Sequence, residues 1–298
     1  MLRQSKLRLA VIGMQGQLAR SLAELIGEDV DIVRIGRPQL DLAAPETVAA
    51  ALAGLPVDIV VNAAAYTAVD RAESEPDLAF AINRDGAAAV AEVCVRNKLP
   101  LIHVSTDYVF DGSKTGPYRE DDPCNPQGAY GRSKLAGEQA VLAALPQAVI
   151  LRTAWVHSPF GANFVRTMLR LSAERDSLRV VADQHGSPSY APDLAAAVLT
   201  MAQRLMAAPS DAALSGIFHL AGSGATTWHG LASEIMAVAG SLGGRSVPVE
   251  AITTADYPTP AKRPANSVLD TSKIAAVYGI RMPPWQDGVR RCVARLLG

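Results

Sequence analysis

Tyr130 stands four residues before Lys134 in the run AYGRSKLAGE, and on a helix that spacing sets two side chains one turn apart on the same face. A free phenol titrates at about 10 and donates slowly at neutral pH, whereas a nearby ammonium stabilises the phenolate and lowers that value. The pair therefore reads as a tuned proton donor. The same spacing also occurs on ordinary exposed helix faces, so a third group has to decide. The run VSTDYVFDG closes a β-rich segment and brings Ser105 and Thr106 to the end of a strand. A hydroxyl there can bond the carbonyl oxygen that Tyr130 would protonate. Ser105 or Thr106, with Tyr130 and Lys134, is thus the candidate set for proton transfer to a carbonyl oxygen.

A second motif marks a place for a nucleotide. VIGMQGQLA sets Gly13 and Gly16 directly after the first apolar run and at the head of a helical pattern. A dinucleotide fold requires a tight turn there, so that backbone N–H groups can face a pyrophosphate. Ala19 takes the third glycine position and still lets the helix pack closely on the strand. The second strand ends in Ile35, Gly36 and Arg37, without the acid that bonds the ribose hydroxyls of NAD. A cation at Arg37 can face a 2′-phosphate, which favours NADPH with NADH as the alternative; a solvated loop arginine accounts for it equally well. Asp41, a little further on, could contact the adenosine end. VNAAAYT ends the third strand with small side chains that let a cofactor approach the backbone.

These residues need a frame that brings distant strand ends together. LRLAVIG, VDIVRIG, VDIVVNAA, LPLIHVSTD and QAVILRTAWV are nearly continuous apolar runs, each followed by a helical pattern such as PETVAAALAGL or PDLAFAINRDGAAAVAEVCVRN. Continuous runs fit strands buried on both faces, with the helices as crossovers of a parallel sheet. The expected fold class is a doubly wound, Rossmann-like α/β sheet. Beyond about residue 180 the rhythm loosens. Val247–Pro264 is rich in proline and polar residues and reads as a loop too irregular for core secondary structure, either a linker or a ligand-facing segment. No internal repeat is visible.

Composition narrows the partners. The 298 residues carry a net charge of -1, which gives no basic field for nucleic acid and none for an anionic membrane. The opening basic residues precede an apolar run too short for a signal peptide, and no apolar stretch approaches the roughly 20 residues that cross a bilayer. Cys94, Cys124 and Cys292 are scattered and odd in number, unlike a disulfide framework. A soluble cytoplasmic protein is expected. The five histidines make no metal-ligand pair, so no catalytic metal is expected. No helix shows an unmistakable exposed apolar face, which leaves a homodimer open.

The ordered set GMQGQLA, VNAAAYTAVDRAESEPDLAFAIN, VSTDYVFDG, YGRSKLAGE, LRTAWV, NFVRTMLRL and YPTPAKRPANSVLDTSKI resembles the dTDP-4-dehydrorhamnose reductases, in the extended branch of the short-chain dehydrogenase/reductase superfamily. The resemblance runs from about residue 8 to about residue 290. It implies a dinucleotide-binding core over 1–160 and a region over 161–298 that completes the core and forms a smaller nucleotide-sugar-binding lobe. It implies an enzyme that reduces the C4 keto group of a dTDP-6-deoxy-4-ketohexose with NAD(P)H and takes Tyr130 as general acid. Lys134 would hold the nicotinamide ribose, and Thr106 would orient the carbonyl with Asp107 beside it. Gly16, Gln17 and Leu18 would line the pyrophosphate, Asp41 and Leu42 the adenosine end, and Ala65, Tyr66 and Thr67 the nearby strand edge. Trp155 matches a position near the sugar, although core packing would also explain it. Arg263, in the proline-rich stretch, is a candidate for the nucleotide diphosphate because a guanidinium pairs well with phosphate oxygens; a solvated arginine is the alternative.

The sequence departs from many relatives at His157 and His185, where tyrosine is expected, and lone loop histidines are usually structural. Dehydratases of the same fold carry an Asp-Glu pair after the threonine, where this chain has Asp107 and Tyr108. An epimerase, or a regulatory subunit that binds nucleotide without turnover, shares the fold; the latter would not need Thr106, Tyr130 and Lys134 intact.

Overall fold

Four consecutive residues of β1 (Leu7–Ile12) are buried on two faces: Leu9 and Val11 enter one hydrophobic cluster, Ala10 and Ile12 another. Side chains alternate along a strand, so a continuous apolar run survives only where helices cover both sides of the sheet. The computed structural model describes residues 6–298. After β1 the chain runs through α1 (Gln17–Ala23), β2 (Val30–Ile35), α2 (Glu46–Leu52), β3 (Ile59–Asn62), α3 (Pro76–Phe80), α4 (Ala87–Asn97), β4 (Leu101–Thr106), α5 (Ala129–Ala144) and β5 (Val149–Thr153). Its second half adds β6 (Val156–His157), α6 (Phe164–Glu174), β7 (Leu178–Val181), β8 (His185–Gly186), β9 (Ser189–Tyr190) and α7 (Ala191–Ala207). It closes with β10 (Gly216–His219), β11 (Thr226–Thr227), α8 (Trp228–Ser241), β12 (Val249–Ile252), α9 (Ser272–Tyr278) and α10 (Trp285–Leu297).

Six strands form one parallel sheet in the order β2, β1, β3, β4, β5, β10. The chain winds outward from β1 to β2, then returns and winds the other way from β3. The connections switch direction between β1 and β3, and the carboxyl ends of the strands at such a switch point are where ligands bind in open α/β sheets. Side chains of α1, α7 and α9 cover one face and those of α2, α4 and α5 the other. Each fully buried Leu, Ile or Val in these layers contributes roughly 1.5–3 kcal/mol.

A third cluster joins α6, α8 and α10 to β7 and includes Val165, Ile235 and Val289. The second half of the chain is therefore divided: α7, β10 and α9 complete the main core, and the remaining helices make a lobe of their own.

The structure differs from the sequence reading in three segments. Val249–Ile252 lies in the stretch read as irregular, yet it pairs in parallel with β7 and packs against α8; the pairing is supplied by the partner strand, not by an apolar pattern in these four residues. The long pattern from Pro76 to Asn97 is interrupted by a π-helical segment at Ala81–Gly86. At its end Gly86 packs closely on the chain after β2, where a Cβ would lie 2.4 Å from the Leu42 carbonyl oxygen. The run VILRTAWV stops as β5 at Thr153, and Trp155 adopts a left-handed φ of 46°. None of the described helices is long and apolar enough to cross a membrane. All three cysteines are free.

Candidate active site

Helix α5 carries Tyr130 in its first turn. Its start is fixed from outside, because Glu73 Oε1 accepts from the Ala129 N–H at 2.7 Å. Glycines then let the helix come close to its neighbours. A Cβ on Gly131 would lie 2.2 Å from the Tyr108 carbonyl oxygen, and one on Gly137 would lie 2.0 Å from that of Asn83. Lys134 is 2 % exposed and donates from Nζ to the Val104 carbonyl of β4 at 2.7 Å. Thr106, the last residue of β4, donates to Asp107 Oδ1 at 3.0 Å and accepts from the Tyr108 N–H at 3.2 Å. The ring of Tyr108 meets that of Tyr130 edge to face at 5.8 Å.

The electrostatics follow from burial. The crowded Tyr130 phenol is pushed up to about 12 by desolvation, against a downward pull from a hydrogen bond with Thr106, while the Asp107 charge adds to the rise. The lowering expected from Lys134 is not seen at Tyr130. A phenol so placed stays protonated at neutral pH, which a donor must be. Burial pulls the Lys134 ammonium down to about 8, and Glu138 opposes it. Burial also pushes the Asp107 carboxyl up to about 6, with Ser267 and Thr106 hydrogen bonds pulling it back.

The crevice between β1 and β3 is lined by small residues. Gly13 has a φ of 131°, a conformation that favours glycine, and a Cβ there would meet Ala19 Cβ at 3.4 Å. Gly16 is the residue before α1, and a Cβ on it would face the Ala63 carbonyl oxygen at 3.9 Å. This cradle of backbone and alanines at the switch point fits a dinucleotide. Gln17 is tied across the crevice, donating to the Val156 carbonyl at 3.1 Å and accepting from Ser158 Oγ at 2.9 Å. Leu18 and Leu42 bury their side chains in the core, so only their backbones can meet a ligand. Asp41 Oδ1 accepts from the Ala43 N–H at 3.0 Å, and Arg37 is exposed at the end of β2. Ala65, Tyr66 and Thr67 follow β3, with the Tyr66 hydroxyl donating to Glu75 at 2.7 Å.

The sequence reading missed residues that hold this arrangement. Asn83, in the π-helical segment, accepts from the Tyr66 N–H at 2.8 Å and donates to the Tyr66 carbonyl and to Ser133 Oγ. Ser133 in turn donates to the Tyr130 carbonyl at 2.8 Å. One side chain thus ties the strand edge to the tyrosine, and a lone asparagine on an apolar helix pattern was its only signal. Arg34 was also missed: its Nη1 donates to the Met14 carbonyl in the glycine-rich turn at 2.8 Å.

Other candidates have partners already. Arg263 forms a two-pronged pair with Asp70 at 2.5 and 2.8 Å, which ties the proline-rich stretch to the loop after β3. It is neither a solvated loop residue nor free for a phosphate without leaving Asp70. Trp155 stacks on Trp228 at 3.6 Å with an 8° tilt, so any wall it offers belongs to a pair. His157 is buried against Tyr190, and burial draws it down to about 4, leaving it neutral. His185 is exposed, and its backbone pairs with Ala265 and Ser267.

A doubly wound sheet with a glycine-lined switch point and a Thr, Tyr, Lys set at its edge defines a Rossmann-like member of the short-chain dehydrogenase/reductase class. The chain belongs to the dTDP-4-dehydrorhamnose reductase family of oxidoreductases: the family model described as RmlD substrate binding domain matches residues 7–297. A dTDP-4-dehydrorhamnose reductase from Sinorhizobium fredii is 50% identical over 291 residues, covering 98% of both chains. The crystal structure of a dTDP-4-dehydrorhamnose reductase from Clostridium acetobutylicum superposes with a TM-score of 0.90 at 34% identity, covering 98% of this chain and 100% of that one. The Bacillus anthracis enzyme of the same name, in complex with NADP, gives 0.90 at 34% identity, covering 97% of this chain and 99% of that one.

Proposed function

We propose that the chain reduces the C4 keto group of dTDP-4-dehydro-L-rhamnose to give dTDP-L-rhamnose, with Tyr130 as general acid. The observation that carries this reading is the meeting of Thr106 and Tyr130 at the carboxyl end of β4, with buried Lys134 one turn behind and the glycine-lined crevice alongside. The nicotinamide, when bound, supplies a hydride to C4 of the sugar. Tyr130 gives its phenolic proton to the carbonyl oxygen as that carbon is reduced, so that the ketone becomes an alcohol; the phenolate regains a proton from solvent. Thr106 orients the carbonyl, and Lys134 holds the nicotinamide ribose.

Asp107 and Trp155 flank the sugar, and Arg263 reaches the diphosphate by exchanging Asp70 for it. The backbone of Gly13, Gly16, Gln17 and Leu18 faces the pyrophosphate. Asp41, Leu42, Ala65, Tyr66 and Thr67 border the adenosine side. Exposed Arg37 favours NADPH over NADH by meeting a 2′-phosphate.

The test is oxidation of NADPH or NADH by purified protein, given dTDP-4-keto-6-deoxy-glucose with and without a 3,5-epimerase. Oxidation that depends on the epimerase, stoichiometric with keto-sugar and faster with NADPH, is the expected result. Tyr130→Phe keeps the fold and cofactor binding while turnover falls by about 10²-fold or more. Near-normal turnover in that variant would remove Tyr130 from the reaction, and absence of net oxidation would refute the reductase reading.

A further inference from the structure

Ser105, beside the site threonine, is committed elsewhere. Leu101, on the same parity, faces the cluster that contains α5, and Ile102 faces the opposite one. Ser105 accordingly points toward α5, donating from Oγ to Glu138 Oε1 at 2.5 Å. Arg152 of β5 grips the same carboxylate, with Nε at 3.0 and 3.2 Å from its two oxygens and Nη2 at 2.7 Å from Oε2. Glu138 and Arg152 are each 1 % exposed. Arg152 is also held independently of Glu138: Nη2 donates to Cys124 Sγ at 3.3 Å, and the guanidinium lies over Phe110 at 5.2 Å.

Taking both charges out of water costs several kcal/mol per ion, and well-packed apolar residues often serve stability equally well. The position of the pair suggests another role. Tyr130, Lys134 and Glu138 are spaced by four, so they form one line along α5 with Glu138 a turn beyond the ammonium. The remaining groups around Lys134 offer no comparable anion. On β4, His103 is kept neutral by burial and by the Lys134 charge. On α4, Cys94 is a buried thiol pushed up to about 12. Arg71 and Glu75, Arg84 and Asp85, and Glu92 and Arg96 pair with each other at the surface. Asp77 is exposed, and Glu73 caps the start of α5. Asp107 and Tyr108 sit at the Tyr130 end of the line.

We propose that Glu138 is a positioning residue for the reaction: anchored by Arg152 and Ser105, its carboxylate keeps the Lys134 ammonium charged and in line behind Tyr130. The proposal rests on the reductase reading for its consequence, but its physical content is a property of the protein alone. Burial works against the Lys134 charge and Glu138 works for it. Replacing the carboxylate by an amide leaves the Arg152 cation behind, so Lys134 loses its proton at a lower pH.

The experiment follows the titration of Lys134 by NMR of lysine-labelled full-length protein, assigned with Lys134→Arg, and in parallel the pH dependence of kcat. In Glu138→Gln the Lys134 titration and the alkaline limb of kcat move down together by on the order of one pH unit, the size of effect that an adjacent opposite charge exerts. Glu138→Asp retains the anion and leaves both near the wild-type position, even where the shorter side chain costs stability. The double variant Glu138→Gln, Arg152→Met leaves no orphaned guanidinium in the core and moves both by less than Glu138→Gln alone, in the same direction. A Glu138→Gln protein that loses activity evenly at all pH, with Lys134 titrating as in wild type, overturns the proposal. So does Glu138→Asp shifting as far as Glu138→Gln. If Glu138→Gln does not fold, an unmoved Lys134 in the double variant overturns it. Failure of the reductase reading shows separately, as wild-type protein that oxidises no nicotinamide while its lysine still titrates.

Discussion

Asp107→Asn tests whether the carboxyl beside Thr106 carries a strained charge. The folded protein holds this group at about 6 against an ordinary 3.8, chiefly because it is desolvated. The sign follows from linkage: a carboxyl raised on folding favours the folded state while protonated, and that benefit is lost as pH rises through the folded value. With about 1.4 kcal/mol for each tenfold, the ionised group costs the fold about 3 kcal/mol near pH 7 and about 1.6 kcal/mol near pH 5. An asparagine keeps an oxygen to accept from Thr106 and carries no charge. Whatever its amide costs for want of a partner is the same at both pH values and cancels in the comparison. The advantage of the variant over wild type therefore grows by about 1.3 kcal/mol between those pH values, or roughly 2 °C in melting temperature for a chain of this size. Urea and thermal unfolding of both proteins at the two pH values measure it directly. An advantage that does not change with pH would show that Asp107 ionises freely in the folded state, and the reasoning from burial would fail at this residue.

Three further substitutions, one of them a control, probe how the site is held. Gly137→Ala forces a Cβ against the Asn83 carbonyl oxygen, so it destabilises the protein by about 1–3 kcal/mol and lowers turnover by displacing α5; Gly116→Ala, with nothing within 4 Å of the added carbon, stays within about 0.5 kcal/mol of wild type, and equal melting temperatures for the two would refute the close-packing argument. Arg263→Ala removes the pair with Asp70, a partly exposed contact worth about 1 kcal/mol or less, and raises KM for the nucleotide sugar about tenfold while cofactor affinity holds; an unchanged KM would make Arg263 a strap and nothing more.

The architecture was legible because its signal is local and repeated. Strands β1, β3 and β5 announce themselves through apolar residues at consecutive positions, and the two clusters that bury Leu9 with Val11 and Ala10 with Ile12 are the physical cause of that pattern in β1. The strand end that carries Ser105 and Thr106 and the helical spacing of Tyr130 and Lys134 were legible for a related reason, since both are readable in a short window. What escaped were commitments made across the fold. Arg263 finds Asp70 across 193 positions of sequence, and no window can show that a loop cation is already spoken for. The strand in Val249–Ile252 exists because β7 is there to pair with it. Asn83 is buried within a π-helical turn over Ala81–Gly86 that the apolar pattern does not announce.

Ser105 and Thr106 make the division plain. In sequence they are adjacent hydroxyls with equal claims on a carbonyl oxygen. Their fates differ because successive side chains leave a strand on opposite faces, and because a carboxylate from one helical turn and a guanidinium from the next strand meet on the Ser105 side. The hydroxyl on the other side is left to Tyr130. The residue types are therefore readable in the sequence, whereas which of two like hydroxyls faces Tyr130 depends on which one the core has already claimed. That dependence makes the Glu138 carboxylate, remote from any reacting atom, a lever on the charge of Lys134.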